Sequence, residues 1–436
     1  MHTLAELEAG LLCHHPRVSL ACALTSFPKA LYTLVDTLEI LDLSNNQLDT
    51  LPDDMWRFKK LRILFLSDNN FKVFPSSLAK CPTLEMIGFK ANRIIDVPEH
   101  VCPKKLRWLI FTDNKISTMP ASIGENTQLQ KLMLAGNQLT ALPFEMAKCT
   151  NLELLRVSAN KLEALPEWLL KLPKLSWLAF AGNPCCKSVV DEHTLPEIHW
   201  DDLKVGHKLG EGASGIISHA YWQGHLEVAL KAFKGAVTSD GFPADEMSAS
   251  MHIGQHDNLV EVIGKLTGHP EQKDGLLLSL IADDFKNLAQ PPCLDSCTRD
   301  TYHASAEFHL SELLNITSTI ASAAAHLHQR GITHGDLYGH NILINDNSEC
   351  ILGDFGAASL YQHMDTQLSD AIEKIEVRAF GCLLEELLLR LTKADISKHT
   401  STIKQLKHLE QVCLNKTTNQ RPVFSKIHAI ISGLSS

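Results

Sequence analysis

The chain has 436 residues, 44% hydrophobic and 21% charged, an ordinary balance for a folded protein of two or three domains. Its net charge of −10 sits in the second half, where residues 201–436 hold 29 acidic and 19 basic side chains against 21 of each in residues 1–200, which argues against non-specific binding to nucleic acid or anionic membrane. No apolar run approaches the ~18 residues of a membrane span, the acidic start Met1–Glu8 does not read as a secretory leader, and the twelve cysteines contain no CxxC pair, so a cytoplasmic, reduced, zinc-free protein is expected.

From residue 38 the chain repeats. Leu38-x-x-Leu41-x-Leu43-x-x-Asn46-x-Leu48 recurs at Leu61, Leu84, Leu106, Leu129, Leu152 and Leu175, at steps of 23 residues with one of 22. Asn46, Asn69, Asn92, Asn114, Asn137, Asn160 and Asn183 form an unbroken column, and Pro52, Pro75, Pro98, Pro120, Pro143 and Pro166 form another. Alternate Leu positions point inward along a short strand that one repeat cannot bury alone, so repeats must stack. The Asn side chain can satisfy backbone groups where each strand turns. Proline opens the return segment, where a missing N–H costs little. These columns resemble the leucine-rich-repeat family over roughly residues 15–190.

The outward strand positions are apolar for a solvent face. Ile63, Phe65, Trp108, Ile110, Met133 and Trp177 are the candidates for contacting a protein substrate or regulator, or the second domain of this chain. Lateral packing of these side chains on one another explains the pattern equally well.

After His207 the period changes. Gly210-Glu211-Gly212-Ala213-Ser214-Gly215 reads as a tight turn between strands whose backbone N–H groups can cradle phosphate, with Ile217 following. Val228-Ala229-Leu230-Lys231 places a lysine inside an apolar strand, which is costly unless it is paired. The helical stretch Pro243–Met251 offers Glu246 as the partner, with Asp245 as the alternative. A helix over Ser311–Gln329, with Leu314, Ile316, Ile320 and Leu327 inward, leads to His334-Gly335-Asp336 and Asn341, and then to Asp354-Phe355-Gly356.

Taken in this order, Gly210-x-Gly212-x-x-Gly215, Val228–Lys231, His334–Asn341 and Asp354–Gly356, with Phe380-Gly381 and Arg421-Pro422 beyond, resemble a eukaryotic-type protein kinase domain. The implied architecture is an α/β leucine-rich-repeat solenoid (1–190), a linker (191–202) and an α+β bilobal protein kinase fold (203–436). The resemblance implies ATP and Mg²⁺. Lys231, held by Glu246, would bind phosphates under the glycine loop. Asp336 would take the proton of the incoming hydroxyl, and Asn341 and Asp354 would ligate the metal.

Three departures qualify this expectation. Gly335 stands where kinases switched by phosphorylation carry Arg. Tyr338 and His340 stand where a cation usually follows the catalytic Asp. Ala371-Ile372-Glu373 looks like an eroded Ala-Pro-Glu, with Glu373 expected to pair with Arg421. A kinase-fold scaffold and a small-molecule kinase of the aminoglycoside or choline type are therefore the alternatives to a serine/threonine protein kinase.

Overall fold

The computed structural model describes residues 2–186, 195–212, 214–235, 237–362 and 364–434. They fall into two units, Met1–Leu172 with Asn183–Cys185, and Pro173–Gly182 with Cys186–Ser436.

The first unit is built on seven three-residue parallel strands, from Arg17–Ser19 to Leu154–Arg156. Register is kept throughout, so Ile40, Ile63, Met86, Trp108, Lys131 and Leu154 stand side by side. The central residue of each strand, such as Leu64, Leu109 or Leu132, is fully buried. The Asn column does what its spacing suggests. Asn137 Nδ2 donates to the carbonyls of Phe111 (2.8 Å) and Leu134 (3.0 Å), and its Oδ1 accepts the Ile116 N–H (3.0 Å). Pro75, Pro120 and Pro143 each precede a 3₁₀ turn, at φ near their fixed value. Phe71, Phe74, Phe89 and Phe111 pack edge to face through the middle of the core, with centroids 5.0–5.2 Å apart between the perpendicular pairs.

The sequence did not announce one feature of the turn. The residue before each Asn is left-handed: Asn45, Asp68, Ala91, Asp113, Gly136 and Ala159. Alanine at two of these positions costs about 1–2 kcal/mol each, which the stacked Asn bonds offset. Asn137→Ala should therefore destabilise the first unit by about 2–4 kcal/mol, because it leaves several buried backbone groups without partners. A urea midpoint within error of wild type would contradict this account.

The second unit has two lobes. A six-stranded sheet runs in the order Leu203–Glu211, Gly215–Trp222, Leu226–Phe233, Gly275–Ser279, Val262–Thr267, Glu197–His199. The last strand lies in the stretch read as a linker and pairs parallel to Val262–Thr267. Ile198 joins Val228, Leu230, Leu266 and Leu277 in one apolar cluster. On the other side Phe233 and Leu276 pack against Met247 of the helix Pro243–His252. The larger lobe is helical, with Leu310–Gln329 against Phe424–Leu434 and Thr366–Leu388 against Thr400–Cys413. Leu314, Ile316, Ile320 and Leu327 are buried as the period required. Among the described residues, no helix is long and apolar enough to cross a membrane.

Candidate active site

A cavity of about 500 Å³ lies between the two lobes. Leu209, Ile217, Ala229 and Leu343 supply apolar walls, and Gly212, Ser214 and Gly215 bring backbone to its rim. A Cβ at position 215 would sit 2.7 Å from the Ala232 carbonyl oxygen, so this turn closes only with glycine. Lys231, Glu246 and Asp354 line the polar end. Lys231 and Glu246 form a direct ion pair, with both side chains largely shielded from solvent. Burial pushes the Glu246 carboxyl above its ordinary range against the opposing pull of the Lys231 charge, and the nearby Asp354 charge pushes it further up. Asp245 makes no ion pair with Lys231, since the helix turns Glu246 inward.

Of the glycine-turn residues, Gly210 and Glu211 stand outside the cavity lining, and Ala213 lies outside the described residues. Glu211 instead pairs with Lys208 and, at 2.6 Å, with Lys234. Hydrogen bonds from these two ammonium groups hold its pKa at about 2.

The residues of the loop His334–Asn341 are held by side-chain and backbone hydrogen bonds. Asn341 Nδ2 donates to Asp336 Oδ2 and to the Asp336 carbonyl, both at 2.9 Å. Its Oδ1 accepts no hydrogen bond among the described residues and is left for another donor or a cation. The Gly353 N–H donates to the Asn341 carbonyl (3.0 Å), and His334 Nε2 contacts the Gly353 carbonyl (2.9 Å). These bonds tie the loop to Asp354, which itself adopts a left-handed backbone. Hard oxygen donors on Asn341 and Asp354 suit a magnesium ion.

Glu376, on the helix Thr366–Leu388, went unremarked in the sequence. It is 1% exposed. Oε1 accepts the Gly335 N–H (2.6 Å) and the Thr333 hydroxyl (3.1 Å). Oε2 accepts the His334 N–H (3.1 Å) and lies 2.8 Å from His328 Nε2. Burial opposes its ionisation, but the hydrogen bond and charge of His328, the charge of His334 and the Gly335 N–H together hold its pKa below 4.5. An acid among Ile372, Ile375, Val377 and Phe380 was the signal available, since an acid on a buried helical face needs partners.

Gly335, His340 and Tyr338, which depart from the kinase pattern, each sit in a defined local setting. Gly335 is left-handed, and a Cβ there would meet the Ala357 carbonyl oxygen at 2.5 Å and the Leu178 carbonyl oxygen at 2.9 Å. His340 Nδ1 lies 2.7 Å from Asp300 Oδ1, and its N–H donates to Asp300 Oδ2 (2.9 Å). Burial disfavours charge on this imidazole, but Asp300, with the charges of Asp336 and Asp354, raises its pKa above 6.5. Tyr338 is buried and stacks on Trp177, with centroids 4.2 Å apart and planes at 6°.

One sequence expectation needs correction. Glu373 and Arg421 do not pair among the described residues. Asp365 caps a helix that already runs from Thr366, and this carries Ala371-Ile372-Glu373 inside the helix, where Glu373 Oε1 accepts the Phe424 N–H (2.7 Å). Arg421 donates instead to the carbonyls of Asn415, Lys374 and Pro173 (2.8–2.9 Å). Its burial, with the Arg378 charge, lowers its pKa to about 9.

Trp177, expected on an outward face for a partner or for the second domain of this chain, is 1% exposed and stacks on Tyr338, in keeping with the second of these readings. In the first unit Ile63 and Met133 are also buried, while Phe65, Trp108 and Ile110 are half-buried. Phe65 and Ile110 close over Gly88, and Lys131 Nζ lies 4.1 Å from the Trp108 ring centroid. Lateral packing thus accounts for a good part of this apolar column.

Comparison with known families agrees with this geometry. Residues 203–382 match the model described as protein tyrosine and serine/threonine kinase. Residues 24–71, 36–94 and 127–184 match the leucine rich repeat model. The chain is a leucine-rich-repeat protein kinase in architecture, an N-terminal repeat array followed by a domain of the protein tyrosine and serine/threonine kinase family.

Proposed function

We propose that the second unit is an ATP-dependent protein kinase that phosphorylates serine and threonine hydroxyls, and that the repeats recruit its protein substrate or a regulator. The observation that carries this reading is the Lys231–Glu246 pair facing the same cavity as Asp354. In it, Lys231 holds the nucleotide's phosphates and Glu246 keeps the ammonium group in place. Leu209, Ile217, Ala229 and Leu343 take the apolar base. Asp336 orients the incoming hydroxyl and accepts its proton, and Asn341 fixes the Asp336 carboxylate. Asn341 and Asp354 are the ligands for magnesium, which when bound offsets the charge of the phosphate oxygens.

Gly335 is accounted for by the carbonyls that flank it, so His-Gly-Asp here needs no small-molecule substrate to explain it. Kinases that act on tyrosine often carry Arg two or four residues after the catalytic Asp. Serine/threonine kinases usually carry Lys two residues after it; Tyr338 and His340 occupy these positions, so they favour neither class and the acceptor residue is left to the assay.

The test is γ-phosphate transfer from ATP and Mg²⁺ to a generic acceptor such as myelin basic protein, with phosphoamino-acid analysis of the product. Lys231→Met should lower transfer by about two orders of magnitude, the scale of one lost charged contact to the transferring group. Equal incorporation by wild type and variant would refute the reading.

A further inference from the structure

The catalytic loop is held at its two ends by groups of the kinase lobe itself. Glu376 accepts the N–H groups of His334 and Gly335, and Asp300 accepts the N–H of His340. The middle of the loop, Leu337-Tyr338, is held differently. Trp177 Nε1 donates to the Leu337 carbonyl (3.0 Å), and its indole lies flat on the Tyr338 ring. Trp177 belongs to the segment Pro173–Gly182, which in sequence is the last leucine-rich frame and in space is part of the catalytic unit. That segment is seated along its length. The Pro173 carbonyl takes Arg421, the Ser176 hydroxyl takes Arg378 (3.1 Å), and the Phe180 N–H donates to Ser359 Oγ (3.0 Å).

We infer that Trp177 is a positioning residue for phosphoryl transfer: it fixes the Leu337-Tyr338 backbone between Asp336 and Asn341, so the kinase domain borrows a structural part from the last repeat. This rests on the kinase reading above. An indole supplies both halves of the contact, a flat face for Tyr338 and an N–H for the Leu337 carbonyl. Phenylalanine supplies only the face and alanine neither. A shift of the loop would misplace Asp336 relative to Asn341 without touching the nucleotide cavity, which Trp177 does not line. The expected signature is a fall in kcat at unchanged KM for ATP.

The experiment uses the full chain with Trp177→Ala and Trp177→Phe. Trp177→Ala should lower kcat between about tenfold and a hundredfold, with KM for ATP within about twofold of wild type. Trp177→Phe should recover most of the loss. Amide hydrogen exchange should quicken over residues 334–341 in Trp177→Ala and stay unchanged in Lys231–Phe233. An unchanged kcat overturns the inference, as does faster exchange spread across the whole catalytic unit. If wild type transfers no more phosphate than Asp336→Ala, the kinase reading fails, and exchange alone decides. Quickening confined to 334–341 then upholds the holding role of Trp177, and unchanged exchange overturns it.

Discussion

Replacing Asp336 with Ala should reduce kcat for phosphate transfer by between about 10² and 10⁴, the range seen when a positioned proton acceptor is removed. The fold should survive. Asp336 is partly exposed, and Asn341 keeps its second bond, to the residue-336 carbonyl, when the side chain is cut back. Nucleotide affinity should hold too, because Asp336 is not among the residues that wall the inter-lobe cavity. His340 cannot take over, since Asp300 claims its Nδ1 and the surrounding carboxylates favour its protonated form. Initial rates of γ-phosphate incorporation, measured beside ATP binding, separate these effects. A variant that binds ATP normally and still transfers at the wild-type rate would remove Asp336 from the chemistry.

Glu376→Ala should be strongly damaging to the second unit, costing about 3–5 kcal/mol, because several buried donors are left without an acceptor. Four groups lose their acceptor at once: the N–H of His334, the N–H of Gly335, the Thr333 hydroxyl and the His328 ring. Glu376→Gln retains shape and some acceptors and should cost less. The carboxyl also sets an acid limit. Its folded pKa lies below 4.5, so the unfolded chain binds the proton first as pH falls. The stability it supplies is complete at neutral pH and is lost as pH drops from about 4.5 through the folded value. Urea midpoints across this range should fall more steeply for wild type than for Glu376→Gln. Parallel profiles would show that folding does not lower the Glu376 pKa.

The repeat architecture was fully legible in the sequence, because a 23-residue period written in Leu, Asn and Pro leaves little freedom. The partner of Lys231 was legible only in part: a lysine in an apolar strand calls for a carboxylate, and the sequence left both Glu246 and Asp245 open, of which the helix turns Glu246 inward. What could not be read were contacts made across long sequence separations. Glu376 serves backbone N–H groups more than forty residues earlier, and no residue type marks a backbone N–H as its target. Trp177 fitted the outward column of its frame perfectly well, and only the packed chain shows it lying on Tyr338. The Glu373–Arg421 pair failed because Asp365 starts the helix early, and an N-cap eight residues before Glu373 outweighs a three-residue motif match. Local periodicity reports burial, whereas tertiary hydrogen bonds decide which buried group serves the site.

Gly335 bears on how this kinase can evolve. Switching by phosphorylation at this loop would call for an arginine beside Asp336, and one codon change can supply it. Here that side chain would have to grow from a left-handed backbone into the space held by the carbonyl oxygens of Ala357 and Leu178. A phosphate-gated descendant therefore needs the backbone at Ala357 and Leu178 to move before an arginine fits at this position.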